Sequence, residues 1–492
     1  MTTDGGETAG LYKAWRGGLA LNRAAPAAVL LRLVEAGEHI PFGLGDRELD
    51  EQELREWVVH PAWEVRRELA MCWTLSAEAR APLFLDPVAR HRFAFTTLAA
   101  DFSTPLTDET FRLLAEDPAE RVRAAVAAHR DLPVRDLVRL AVDPDPEVRR
   151  GVVRRAWPHL AAETRTALLA DPDEKVREGA VLAHHTTVPV TAADLAAIAD
   201  EDLRRKVVEE CRLARELAEA LVRDADRHVR RALAANTGLD LDLALLLGAD
   251  QENSVRWAVS VRADLTEEQR ARIEAEDVPG RTWSDPLPWV RALHDDPEAM
   301  RRCAASAHVE LRRSVAWART LPQDVADRLA ADEHQAVREV LVERCDQAPG
   351  ELLFERWRSG GTRSTAQLLY RSNFPREYGL RHLDHPDPKL RQLAAMDPAA
   401  DAEQLERLSR DSDPRVREQV LRGRRLDLAS VIRLIDDPDV SVRSAAVLDP
   451  RLPEPLLDTL LQAPATAWSA AMNPSLPEAA MHRLLNTIGR DA

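Results

Sequence analysis

Apolar residues recur along this chain in short helical clusters, separated by Asp, Pro, Arg and Asn at fixed offsets. In DPAERVRAAVAAHRDLPVRDLVRLAV, which starts at Asp117, Val122, Ala125 and Val126 share one helical face, and Leu137 and Leu140 share another. The spacing predicts two amphipathic helices of about three turns each, joined by tight turns. Asp117 followed by Pro118 reads as a helix start, with the carboxylate capping free amides and Pro in the first turn. Asn22, Asp46, His129, Asn236, Asp397, Gly423, Asp449 and Asn473 stand three residues before a second apolar anchor, often Leu-Pro. These residue types tolerate a left-handed backbone, so helix C-termini are predicted there.

The pattern is a repeat. Residues 385–410, 411–436 and 437–462 are three consecutive copies of 26 residues without a gap. Following the anchors from Ala25 to Leu476 fits about 17 to 18 such units into the chain. A helix of about ten residues does not persist alone in water, so each pair depends on its neighbours. The expected fold is all-α: a solenoid of two-helix repeats over residues 15–490, preceded by a flexible tail over 1–14. The copy from Ala463, which lacks the Asp and Arg signals, is expected to be a terminal cap with one neighbour. The period falters near 91–121, 273–313 and 357–378.

MNPSLPEAAMHRLL at 472–485, LDPRLPEPLLDTLL at 448–461 and LNRAAPAAVLLRLV at 21–34 resemble the leucine-rich repeat variant family. The DPDPEVR segment at 143–149 is similar to HEAT-type repeats. The resemblance implies a right-handed superhelix and an interaction scaffold. Some members of the variant family carry an N-terminal Cys cluster for an iron-sulfur centre. Here Cys72, Cys211, Cys303 and Cys345 are too dispersed for a ligand motif, so no cofactor is expected.

Charge and composition narrow the classes of function. A net charge of -16 argues against wholesale nucleic-acid binding. No stretch approaches the roughly 20 apolar residues of a membrane span, and residues 1–18 lack a signal-peptide core. Sparse Cys favour a reducing compartment, and a cytoplasmic location is expected. Only Lys13, Lys175, Lys206 and Lys389 are lysines among 67 basic residues, which fits a high-GC bacterial coding bias.

The sequence holds no recognisable catalytic constellation, phosphate loop or metal motif, so a non-enzyme without a metal is expected. The Arg that follows the apolar anchor (Arg123, Arg149, Arg177, Arg230) is in phase with the Asp column and reads as a ladder between repeats. The next Arg faces solvent in that register, which makes Arg67, Arg150 and Arg231 candidate contacts for a partner, together with Arg154, Arg155 and Arg313. Trp283, Trp289, Trp357 and Tyr370 join them because they lie where the period breaks. Trp63 and Trp257 read as packing between layers. His382, Asp384 and His385 form the most ligand-like cluster, yet His385 fills the position Asp holds elsewhere. The expected function is a non-enzymatic scaffold that binds a protein or peptide on its concave surface. The alternative is nucleic-acid binding or a HEAT-like DNA glycosylase; a HEAT-like pigment lyase or chaperone, with a deep apolar pocket, is a further rival.

Overall fold

A computed structural model describes residues 4–40, 44, 49–69, 72, 75–276, 285–360, 367–376 and 379–488. Among these the chain is helical with no strand, and one isolated parallel bridge joins Val190 to Leu213. Also among them, no helix is long and apolar enough to cross a membrane. The chain forms two compact units. One holds Met1–Val152 and Arg376–Ala492, the other Val153–Pro375.

Short helices come in pairs, as the apolar spacing requires. Glu120–Ala128 is followed by Val134–Leu140, and Pro414–Arg422 by Leu428–Leu434. Val122, Ala125, Val126, Leu137 and Leu140 are all buried, so both apolar faces turn inward. First helices of successive pairs pack directly on one another: Glu201–Glu210 on Arg227–Ala235, and Arg227–Ala235 on Asn253–Ser260.

A recurring arginine holds consecutive pairs together. Arg123 donates to both carboxylate oxygens of Asp143, at 2.7 and 3.0 Å, and its other arm reaches the carbonyls of Asp117 and Pro118. Arg230 with Asp250, Arg312 with Asp332, Arg391 with Asp411 and Arg417 with Asp437 repeat this at the same offset of 20 residues. The side chains are largely buried, so these are charge-assisted joints rather than surface pairs. The ladder expected of the Arg and Asp columns is therefore present at these pairs.

The joint reassigns the Asp-Pro signal. Asp143 accepts Arg123 and the amide of Asp145. The cap is the second Asp of the motif: Asp145 accepts from the amides of Glu147 and Val148, and Asp173, Asp226, Asp387, Asp413 and Asp439 are N-caps in turn. Pro118 lies ahead of its helix, which starts at Glu120, and serves as a carbonyl acceptor. One of the irregular stretches preserves this joint. Between 91 and 121 the helix Ala89–Asp101 has 13 residues and a turn through Ser103 at φ 50°. The joint from Arg92 to Asp117 then spans 25 residues instead of 20.

A second joint replaces the left-handed helix ends that the sequence pattern predicts. His129, Asn236 and Asp397 do end helices, but with φ of -67°, -67° and -62°. Their side chains matter instead. Asn236 donates to the carbonyls of Val208 and Cys211, Asn473 to those of Val447 and Asp449, and His129 bonds the carbonyl of Thr104. Each satisfies carbonyls left over at the end of the preceding first helix.

Two expectations about the chain ends are corrected in the first unit. The segment expected as a flexible tail over 1–14 lies largely within a helix, Asp4–Leu21. The copy from Ala463, expected to be a cap with one neighbour, packs against that helix. Trp15 donates its indole N–H to the carbonyl of Leu461, and Asn22 donates to those of Ala471 and Asn473. Gly18 lets the two backbones approach, since a Cβ there would sit 2.3 Å from the carbonyl oxygen of Trp468. The first helix pair thus meets the last through the same kind of joint that links neighbours in sequence.

Candidate functional site

Most of the ten candidate side chains are engaged in structure. Arg67 pairs with the buried Glu68, while Arg150 with Glu147 and Arg154 with Glu210 pair on the surface. Arg155 is half-buried, and desolvation pushes its guanidinium below the usual range. Arg313 is only 2% exposed and pairs with the buried Glu310, so it is a core ion pair and not a surface contact. Trp357 is 1% exposed, edge-on to Phe374 at 5.9 Å, and belongs to the core. Tyr370 is 54% exposed. Trp283 lies outside the described residues. Arg231 and Trp289 remain, and the structure brings them together.

They line a cleft of about 540 Å³ in the second unit. Its floor comes from the helix Asn253–Ser260 and the turn after it, which contribute Trp257, Ala258, Val261 and Ala263. Arg231 and Ala235 enter from the helix Arg227–Ala235, Leu287 and Trp289 from the irregular stretch after 273, and Glu310 from Val309–Ala316. The indoles of Trp257 and Trp289 both line the cleft.

Each large wall residue is fixed from behind. The Trp257 ring meets His308 edge-on at 4.6 Å, and Trp289 donates its indole N–H to the carbonyl of Val261 at 2.9 Å. Arg262 grips the Asn236 and Leu239 carbonyls and, at 2.7 and 2.9 Å, the Asp264 carboxylate. That grip holds the Asp264 carboxyl below the usual carboxylate range. Glu310 is taken by Arg313. Arg231 differs: among the described residues its side chain makes no ion pair or hydrogen bond, and it is exposed at the rim.

A buried Ser-His pair lies just behind the wall, with Ser260 Oγ 2.9 Å from His308 Nε2. Its wiring opposes nucleophile activation. His308 Nδ1 accepts the amide of Glu310, which puts the ring proton on Nε2 and makes the imidazole the donor to Oγ. Ser260 in turn donates to the carbonyl of Trp257. The pair braces Trp257 and offers no base to the hydroxyl. Among the described residues no group of three or more His, Cys, Asp or Glu could hold a metal ion. Cys72, Cys211, Cys303 and Cys345 are buried free thiols. Burial pushes the Cys211 thiol up to about 11.

Trp257, Arg262, Asp264 and Glu310 complete the cleft without having been singled out as site residues. Trp257 sits in a regular repeat position, where an aromatic reads as packing. One signal was available for Arg313: Glu310 three residues earlier on the same helix announces an internal pair. The chain matches no family model, and no curated protein matches it.

Proposed function

We propose that this chain is a non-enzymatic scaffold of the leucine-rich repeat variant and HEAT-like kind, acting in the bacterial cytoplasm. Its two-helix repeats form a right-handed superhelical solenoid, and its first-helix row, where neighbouring helices pack directly on one another, lines the concave side. There the Trp257–Trp289 cleft grips a protein or peptide. The observation that carries this reading is the cleft itself: two braced indoles, an apolar floor and an arginine with no partner of its own among the described residues. Concave apolar sites with a few placed polar groups are where ligands bind. The arginines in phase with Arg230, such as Arg123 and Arg417, are by contrast taken up by the joints.

Nucleic-acid binding, or base excision of the glycosylase kind, draws on the two indoles beside Asp264 and Glu310. Both carboxylates, however, are held by arginines, and a chain of net charge -16 supplies little of the phosphate attraction such binding needs. Affinity capture of the full-length protein, with and without nuclease, separates the readings. The scaffold reading expects a nuclease-resistant protein partner that is lost from Trp289→Ala and Arg231→Glu. Recovery of nucleic acid alone overturns it.

A further inference from the structure

Arg231 faces more than one hollow. That residue and Ala235 also line a second groove of about 290 Å³, whose other walls are Asp202, Arg205, Lys206, Glu209, His228 and Ala232. The two hollows therefore share Arg231 and Ala235 as a common wall, and between them they draw on the first helices Glu201–Glu210, Arg227–Ala235 and Asn253–Ser260. Arg205, Arg231 and Trp257 stand two residues after Leu203, Val229 and Val255, the same position in each helix. Stacked first helices thus present a row that reads basic, basic, aromatic.

Charge gives this row a direction. Lys206, like Arg231, makes no ion pair or side-chain hydrogen bond among the described residues. What sets these two cations apart is that both line the same groove. The carboxylates facing the groove are Asp202, already paired with Arg205, and Glu209. At the aromatic end Asp264 and Glu310 are engaged by Arg262 and Arg313. An anionic ligand group meets a cationic rim on one side, while the other side offers only apolar surface and neutralised carboxylates.

We propose that the site takes an acidic peptide in extended form. A bulky apolar side chain seats against Trp257 and Trp289, and carboxylates a few residues away pair with Arg231 and Lys206. Packed helices lie about 8 to 10 Å apart, so neighbouring positions of the row are about three extended residues apart. The recognised pattern is an aromatic or Leu residue, two spacers, an Asp or Glu, two more spacers and a second Asp or Glu. Arginine suits this role because its planar fork accepts a carboxylate in two bonds. This inference rests on the cleft being a peptide site.

Fluorescence anisotropy on the full-length protein tests it, with labelled heptapeptides as probes. Phe-Ser-Gly-Glu-Ser-Gly-Glu is expected to bind saturably and more weakly as salt rises. Replacing Phe by Ser, or both Glu by Lys, is expected to weaken binding at least about tenfold. Arg231→Glu should reverse the preference between the Glu and Lys peptides, a readout that a folding defect does not mimic. Trp289→Ala should weaken both while leaving the helical circular dichroism unchanged. Equal binding of the Lys peptide, no effect of Arg231→Glu, binding of labelled oligothymidylate alone, or no peptide binding would each overturn the proposal. If the peptides fail but a captured protein partner still depends on Trp289, the acidic-peptide inference falls and the scaffold reading stands. If both fail, both fall.

Discussion

The side-chain amide of Asn22 donates to the backbone carbonyl of Asn473 at 2.9 Å, across 451 residues of chain. Its second acceptor is Ala471, at 3.0 Å. Asn473 makes the same two-carbonyl contact with Val447 and Asp449 in the pair before it, and Asn236 does so with Val208 and Cys211. Within the first unit, the N-terminal helix pair therefore serves the C-terminal one as its next neighbour. Arg32 extends the contact to Asn486.

This contact predicts that changes at one end loosen the other. Asn22→Ala leaves two buried carbonyls without donors, at about 1 to 3 kcal/mol of local stability. Gly18→Val adds a side chain where the backbone of Trp468 already stands. Hydrogen exchange should quicken in the helices Ala467–Ala471 and Glu478–Ile488, while the helix Arg227–Ala235 keeps its protection. Unchanged exchange at the C-terminus would contradict the contact.

Removing one arginine of a joint is expected to cost more than removing a surface arginine. Arg417 binds the Asp437 carboxylate twice and the Asp411 and Ser412 carbonyls with its other arm. Arg417→Ala strands a largely buried carboxylate and should cost about 3 kcal/mol or more. Arg150→Ala, which removes an exposed pair with Glu147 on the same helix, should leave the denaturation midpoint nearly where it is. Comparable shifts in the two variants would remove the distinction.

Acid should unfold the protein through the joints. The hydrogen bond from Arg230 holds the Asp250 carboxyl below its ordinary range, and at a helix cap outside the joints Arg415 does the same for Asp413. A folded pKa below the unfolded value means that the unfolded chain binds more protons in the window between them. The stabilisation is therefore complete above about pH 4 and is lost as pH falls through the folded values. Burial also holds His184 and His294 below the usual imidazole range, which adds a shallower loss below about pH 6.5. Thermal midpoints should be flat above that, decline gently, then drop steeply below about pH 4. The Asp250→Asn variant should start lower and lose less in the acid limb. A midpoint that rises on acidification would contradict the assignment.

Much of the helical layout was legible because the joints demand particular residues at fixed places. Arg230 needs Asp250 twenty positions on and binds the carbonyl of Asp224 six positions back, and the two offsets together make the 26-residue period read from the sequence. The division of labour within the motif was less legible. Asp143 and Asp145 are the same residue type two positions apart, yet one binds Arg123 and the other caps a helix. Asn22 looked like any helix end, because the identity of its acceptors, Ala471 and Asn473, is a property of distant packing. The cleft was half legible. The break after 273 pointed to Trp289, but Trp257 sits in an unbroken repeat, and only the space opened beside it distinguishes it from a packing residue. Trp357 also lies at a break in the period and is core, since Phe374 fills the gap beside it.

Arg230 and Arg231 are adjacent in the chain and have opposite assignments, one in a joint and one at the cleft rim. The most direct measurement compares Arg230→Ala with Arg231→Ala in parallel, for denaturation midpoint and for affinity toward the Phe-containing acidic heptapeptide. The account predicts that Arg230→Ala lowers the midpoint while the protein still folded binds with near wild-type affinity, and that Arg231→Ala binds about tenfold more weakly at an unchanged midpoint. The reverse pattern, or equal effects of both substitutions on both readouts, would contradict it.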